Sequence, residues 1–286
     1  MTEFLKMHGL GNDFIVFDAR DPENAVPDQI SPAAARRLAD RHFGIGCDQI
    51  LVIRSSTKAD VFMEILNSDG SQATACGNGT RCVADFVMPA GGSSILIETA
   101  AGVLMAQRDA KTGHIAVDMG PAHLGWQDVP LARKMDTLAV DLGPSAPVPA
   151  VCHSIGNPHA VLFVDDAETI DLVKIGPALE MHPLFPDRAN ISFVHQLGES
   201  RFRMRVWERG GGITLACGSG ASAVGVAAHR VGLSGRINEI VMDGGMVTID
   251  WQDDGTDSGQ VIMKGPVASV CRGHLSDELD QCLRAV

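Results

Sequence analysis

Ala75-Cys-Gly-Asn-Gly-Thr-Arg81 and Ala216-Cys-Gly-Ser-Gly-Ala-Ser222 are one pattern written twice, with Cys76 and Cys217 standing 141 residues apart in a chain of 286. The likeness extends upstream. His8-Gly-Leu-Gly-Asn12 precedes the first copy and His153-Ser-Ile-Gly-Asn157 precedes the second. Counting back 27 residues from each cysteine gives a carboxamide, Gln49 or Asn190. Counting back 9 gives a polar residue closing an apolar run, Asn67 after Ile65-Leu66 and Glu208 after Val206-Trp207. Any one such match is ordinary loop chemistry. Three at a spacing of 141 residues, with the His-to-Asn stretch repeated at 145, point to an internal duplication of about 140 residues per copy, too long a period for a solenoid.

The length suits two domains, each able to bury a core. Hydrophobic content of 45% and charged content of 20% are those of a soluble globular protein. A net charge of −12 argues against nucleic acid or an anionic membrane as partner, since phosphate binding needs clustered Lys and Arg. It leaves room for a small zwitterion, which responds to the local field. Two long uncharged stretches, 142–164 with four prolines and 210–228 with six glycines, are poor membrane spans. The start, Met1-Thr-Glu-Phe-Leu-Lys-Met7, lacks a basic segment followed by an apolar one, so no signal peptide is expected. Seven cysteines without regular spacing favour neither a disulfide framework nor a structural zinc site. A reducing cytoplasm fits, with most cysteines serving as small core residues.

Strand patterns fall at residues 13–18, 50–54, 61–66, 94–98, 103–107 and 114–119. They resume at 160–164, 191–195, 203–208, 239–242, 246–250 and 260–264. A helix is expected over 32–42, with Ser31 as N-cap and Pro32 at the first position, and another near 171–180. Each cysteine segment reads as a helix start. The stretch from Cys217 to Val231 is uncharged until Arg230 and closes at Gly232, which predicts a buried central helix with glycine at C′. The first copy, from Cys76 to Met88, reads as more amphipathic, with Arg81 and Asp85. The expected fold is α/β (α+β): two pseudo-symmetric domains, each of mostly antiparallel strands wrapped around a central helix. Their expected limits are 1–122 and 123–266, with 267–286 packing back on the first.

A cysteine at a helix N-terminus favours the thiolate, and the glycines after it leave backbone N–H groups open to an anion. Each copy thus offers a candidate base beside a carboxylate site. Two such helix ends meeting on one carbon would place a thiol on either face, as inversion of a stereocentre requires. One of the two must then hold a proton. Asn12, Gln49, Asn67, Asn157 and Asn190 can hold ammonium and carboxylate groups without titrating. Glu208 can pair with an ammonium, Arg209 can take a carboxylate bidentately, and His159 can assist at the amino group. Each asparagine alone would read as a turn or cap residue, and His159 alone as a loop histidine.

Taken together, His8-Gly-Leu-Gly-Asn-Asp-Phe14, Phe43-Gly-Ile-Gly-Cys-Asp-Gln49, Asn67-Ser-Asp-Gly70, the two cysteine motifs, Gly156-Asn-Pro-His159 and Glu208-Arg-Gly210 resemble the diaminopimelate epimerases over nearly the whole chain. The resemblance implies cofactor-independent interconversion of LL- and meso-diaminopimelate, in lysine and peptidoglycan precursor synthesis, with no metal. It implies Cys76 and Cys217 as the acid/base pair, with Gly77-Asn78 and Gly218-Ser219 holding the reacting carboxylate. His159 and Glu208 would support the reacting amino group. Asn12, Asn67, Asn190 and Arg209 would read the distal centre, with Gln49 and Asn157 completing the pocket. It also implies a homodimer, although Cys271 stands where an aromatic near the subunit interface is frequent. Gly212-Ile-Thr214 replaces a common Gly-Glu-Thr.

Other readings start from the same residues. A proline- or hydroxyproline-type racemase would also use two cysteines, whereas a phenazine-pathway isomerase lacks the paired thiols. Gly218-Ser-Gly-Ala-Ser-Ala223 matches a dinucleotide-binding turn, but fewer than 70 residues follow it. A Cys76–Cys217 redox sensor and a non-catalytic amino-acid binder complete the alternatives.

Overall fold

The computed structural model describes residues 1–252, 255 and 259–285. The chain forms two compact units: Met1–Val117 together with the segment from Gly265 onward, and Asp118–Lys264. Val286, the end of the expected 267–286 segment, lies outside the described residues.

The first unit runs β1 (Glu3–Gly9), β2 (Asn12–Asp18), α1 (Pro32–Ala39), β3 (Gln49–Arg54), β4 (Val61–Asn67), β5 (Gln72–Ala73), α2 (Gly77–Val87), β6 (Ser94–Thr99), β7 (Gly102–Arg108) and β8 (Ile115–Pro121). Strand β1 pairs antiparallel with β2, β2 parallel with β3, β3 antiparallel with β4, and β4 parallel with β6; β6, β7 and β8 follow as an antiparallel meander.

The second unit runs β9 (Val151–Ser154), β10 (Pro158–Phe163), α3 (Leu172–Glu180), β11 (Asn190–Gly198), β12 (Arg201–Glu208), β13 (Gly212–Ile213), α4 (Gly218–Arg230), β14 (Ile237–Met242), β15 (Gly245–Trp251) and β16 (Gln260–Gly265). Its pairings repeat the first set in order and direction: β9 antiparallel to β10, β10 parallel to β11, β11 antiparallel to β12, β12 parallel to β14, then β14, β15 and β16 antiparallel. The duplication is therefore one of topology as well as sequence. The chain ends in β17 (Ala268–His274), antiparallel to β1, and α5 (Asp277–Arg284), packed on α1.

The central strands of each unit are covered on both faces. In the first unit Ile50 and Val52 join Ile15, Phe17, Leu38, Leu275 and Leu283 in one core, while Leu51 turns the other way, against Gly79 of α2. Residues Ile50 to Ile53 are all fully buried, so β3 is a continuous apolar run rather than an alternating one. In the second unit Ile191 and Phe193 pack with Leu162, Leu172 and Leu179, while α4 contacts β9, β10, β11, β12, β14 and β15. Each buried Leu, Ile or Phe contributes about 1.5–3 kcal/mol.

Small residues permit this central position for α4. A Cβ on Gly225 would lie 2.7 Å from Ile249 Cγ2 and 3.0 Å from its Cβ. The helix ends as the sequence implies: Gly232 takes φ +75°, its N–H donates to His229 O, and the Leu233 N–H donates to Ala228 O at 2.9 Å.

Two expectations change. Helix α1 stops at Ala39 because the Asp40 carboxylate accepts from the His42 and Phe43 N–H groups, both at 2.7 Å, and turns the chain away. Arg81, read as part of an amphipathic face of α2, is fully buried. Strands β1, β9 and β17 and helix α5 add to the elements visible in the sequence.

Gly225→Val tests the packing of α4. Overpacking of this kind costs about 1–3 kcal/mol, so the urea midpoint should fall clearly. An unchanged midpoint would contradict the contact with Ile249.

Candidate active site

In the first unit Cys76 is the N-cap of α2, with φ −152° and ψ 103°. Its Sγ accepts from the Gly79 N–H at 3.3 Å and lies 3.9 Å from Asn12 Oδ1. Asn78 Nδ2 donates to the same Asn12 oxygen at 3.2 Å. Asn12 reaches this place because the β1–β2 hairpin turns through Leu10 and Gly11, both at positive φ, 57° and 81°. For leucine that conformation costs roughly 1–2 kcal/mol, strain of the kind kept at functional sites. Gln49 and Asn67 are register partners across β3 and β4, and Gln49 Nε2 donates to Asn67 Oδ1 at 2.9 Å.

The second unit repeats the design. Cys217 is the N-cap of α4, and its Sγ lies 3.7 Å from Ser219 Oγ. Asn157, from the β9–β10 turn, donates to Ser219 Oγ at 3.3 Å, matching the Asn78–Asn12 bond. His159 is fully buried and its Nε2 lies 2.8 Å from Asn157 Oδ1. An amide oxygen only accepts, so the ring proton sits on Nε2 and Nδ1 keeps a lone pair without a partner among the described residues. His159 and Asn190 are register partners across β10 and β11. Asn190 Oδ1 accepts from the Arg209 N–H at 3.0 Å, and Arg209 Nη1 donates to Asp187 O at 3.2 Å. Glu208 accepts from the Thr214 hydroxyl. Gly77 and Gly218 open the two helices.

Each unit thus gathers its own half of the candidate residues: Asn12, Gln49, Asn67, Cys76, Gly77 and Asn78 in one, and Asn157, His159, Asn190, Glu208, Arg209, Cys217, Gly218 and Ser219 in the other. Sequence reading missed three supporting groups. Thr214 fixes Glu208. Glu180, buried at the end of α3, accepts from Trp207 Nε1 at 2.7 Å and from the Gly210 N–H at 3.0 Å, clamping the chain on both sides of Glu208 and Arg209. Arg81 donates from Nη2 to Asn78 Oδ1 at 2.7 Å. The first two carry no sequence signal, because an acid at a helix end and a threonine in a turn are common. Arg81 lay in the quoted motif itself.

A helix N-terminus by itself favours the thiolate at either cysteine, but at Cys217 other effects outweigh it. Burial pushes its thiol well up, and the Glu208 carboxylate adds to the rise; the Gly220 N–H and the Ser219 hydroxyl oppose them and lose. Cys217 therefore holds its proton. Burial pushes His159 down to about 3, helped by the Arg209 charge, so the ring is neutral at physiological pH. Buried Cys47 is pushed up to about 12 by desolvation.

The profile of the diaminopimelate epimerase family matches residues 4–125 and 151–270. The chain is 52% identical to the diaminopimelate epimerase of Rhodospirillum centenum over 283 residues, 98% of this chain and 94% of that one. It is 53% identical to the diaminopimelate epimerase of Acidiphilium cryptum over 275 residues, 95% of each. Among solved structures, a phenazine biosynthesis protein of the PhzF family from Bacillus anthracis shares the fold, with TM-score 0.68 at 16% identity, covering 96% of this chain and 99% of that one.

His159 supplies a pH test. Its folded form takes a proton only near 3, and the unfolded chain near 6.5. Between these values the unfolded state binds more protons, so this histidine's contribution lowers stability as pH falls from 6.5 toward 3 and is constant above 6.5. The ring resonances should not move between about pH 5 and 8, and His159→Gln should flatten the acid side of a plot of urea midpoint against pH. A ring titrating near neutrality would contradict this environment.

Proposed function

The chain belongs to the diaminopimelate epimerase family, and from that membership we propose that it is an isomerase interconverting LL- and meso-2,6-diaminopimelate without a cofactor. The observation that carries the reading is the repeated turn. Each unit offers a cysteine capping a glycine-opened helix, with an asparagine from the preceding hairpin bonded to the residue two beyond the cysteine.

In the proposed reaction one thiolate removes the α hydrogen and the other thiol delivers a proton to the opposite face. Backbone N–H groups at Gly77-Asn78 and Gly218-Ser219 hold the reacting carboxylate, where charge builds as the carbanion forms. The lone pair on His159 Nδ1 and the Glu208 carboxylate receive the ammonium group. Neutral His159 suits this task, since a cationic ring would repel the ammonium. Asn12, Asn67, Asn190 and Arg209 read the distal centre, and Gln49 and Asn157 complete the pocket. The distal carboxylate and ammonium explain why amides and a guanidinium outnumber apolar groups among these residues.

The partner is a small amino acid; the balance of 35 acidic against 23 basic residues offers nothing to nucleic acid or an anionic membrane. No helix among the described residues is long and apolar enough to cross a membrane. We place the protein in the cytoplasm, in lysine and peptidoglycan precursor synthesis, as a homodimer. The exposed strand β17, with Val270 and Cys271 uncovered, is available for the subunit contact.

The test is conversion of LL-diaminopimelate to the meso form by reduced protein with no cofactor added, alongside Cys76→Ala and Cys217→Ala. Wild type should convert, and each variant should lose epimerisation by at least about a thousandfold while still binding substrate. Conversion surviving in either variant would rule out the two-thiol mechanism. No conversion by wild type would rule out the substrate.

A further inference from the structure

Arg81 is a fully buried arginine in the first turns of α2. Only Nη2 is bonded, to Asn78 Oδ1 at 2.7 Å; Nε and Nη1 have no partner among the described residues. No carboxylate among the described residues lies in ion-pair contact with it. The hairpin closes over the guanidinium, for a Cβ on Gly9 would lie 3.0 Å from Nη2 and 3.2 Å from Asn78 Cβ. A guanidinium does not deprotonate in proteins, and a buried one without an anion is costly.

The available anion follows by elimination. The ionisable groups acting on Arg81 are Cys82 and Cys76. Burial keeps Cys82 a thiol. The charged groups on the strands packed against α2 turn to other partners: Glu3 to Arg272, Lys6 and Asp13 to each other, Asp18 to Arg20, Arg54 to Glu64, Glu98 to Lys58 and Arg108 to Asp85. His8 Nδ1 accepts from the Gly11 N–H. Cys76 remains.

The duplicate sharpens the point. In the 141-residue register Arg81 corresponds to Ser222, and Asn67 corresponds to Glu208. The turn carrying Cys76 has a buried cation and a neutral amide where the turn carrying Cys217 has a neutral hydroxyl and a carboxylate. The two copies share a backbone and have opposite charge.

We propose that Arg81 is a positioning residue that holds Cys76 as the thiolate of the resting thiol–thiolate pair by its buried charge, at a helix start where the Gly79 N–H already donates to Sγ. This rests on the acid/base role proposed for Cys76. In the resting form Cys76 is S⁻ and Cys217 is SH. One turnover moves the substrate's α hydrogen to Cys76 and the Cys217 proton to the opposite face of the carbon. The enzyme is left with Cys76 SH and Cys217 S⁻, and one proton must return from Cys76 to Cys217 before the next cycle in the same direction. One epimer therefore meets the resting form ready to react, and the other must wait for the minor form.

The test reads the pH dependence of alkylation of Cys76 by iodoacetamide, resolved from the other cysteines by peptide mass spectrometry, in wild type, Arg81→Met and Arg81→Lys. Wild-type Cys76 should react with a midpoint below the ordinary thiol range. Arg81→Met should raise that midpoint by one pH unit or more, which lowers reactivity about tenfold at pH values well below both midpoints. Arg81→Lys, which keeps the charge, should stay near wild type. In Arg81→Met, kcat/KM should fall most at low pH and recover at high pH, a pattern that simple damage to the fold would not give. A wild-type midpoint at or above that of an ordinary thiol overturns the proposal, as does an Arg81→Met profile superposed on wild type. If Arg81→Met does not fold, the wild-type midpoint and the Lys variant still decide. Epimerase assays on the same wild-type sample separate the two claims: a low midpoint without epimerisation leaves Arg81's role standing and removes the assigned reaction, and the converse does the opposite.

Discussion

In each unit a glycine in the first helical turn comes close to the strand beneath it, and the chemistry depends on that contact. A Cβ on Gly79 would lie 3.2 Å from Leu51 Cδ1 and 3.4 Å from Cys76 Sγ; one on Gly220 would lie 2.7 Å from Met204 Cε and 3.2 Å from Cys217 Sγ. With no side chain there, the helix start presses onto the sheet and the cysteine sulfur folds back over the first turn. The N-cap position leaves the helix's first N–H groups without intrahelical partners. Those groups are then open to a carboxylate beside the thiol. A side chain there would press on Leu51 and the Cys76 sulfur in one unit, and on Met204 and the Cys217 sulfur in the other.

On this shared backbone the two copies diverge in charge. Burial and Glu208 keep Cys217 protonated, while buried Arg81 stands beside Cys76. A reaction that needs one acid and one base gains from such inequality, since it sets which thiol is ionised and which keeps its proton. The supporting groups are equally unlike: a string of amides in the first unit, and a neutral histidine, a carboxylate and an arginine in the second. The amides read charge without competing for protons. The titratable set sits with the thiol that must keep its own proton.

Most of the fold was legible because the duplication is written in fixed spacings. Once Cys76 and Cys217 are aligned, Gln49 with Asn190 and Asn67 with Glu208 mark corresponding strand ends, and the paired topologies follow. The helix ending at Gly232 was readable from its glycine. Strand β1 was less so, since Glu3–Gly9 mixes charged and apolar residues and gains its place only by pairing with β2 and β17. The state of Cys217 was not legible at all. A helix N-terminus lowers a thiol's pKa when solvent or cations are near, and the sequence does not show that burial and Glu208 outweigh it. Arg81 was misread for a related reason: charge in a helix suggests a solvated face, and only the closure of the hairpin, at Gly9, over the guanidinium shows otherwise.

The most direct test of the account is where deuterium appears in the first few per cent of turnover in D₂O, starting separately from the LL and the meso epimer. Two monoprotic groups on opposite faces, one thiolate and one thiol, predict that the newly formed epimer carries deuterium at the inverted carbon while recovered substrate is still protio, in both directions. A product that keeps the substrate's own hydrogen, or substrate that exchanges ahead of product formation, would mean a single base on one face and would contradict the central claim.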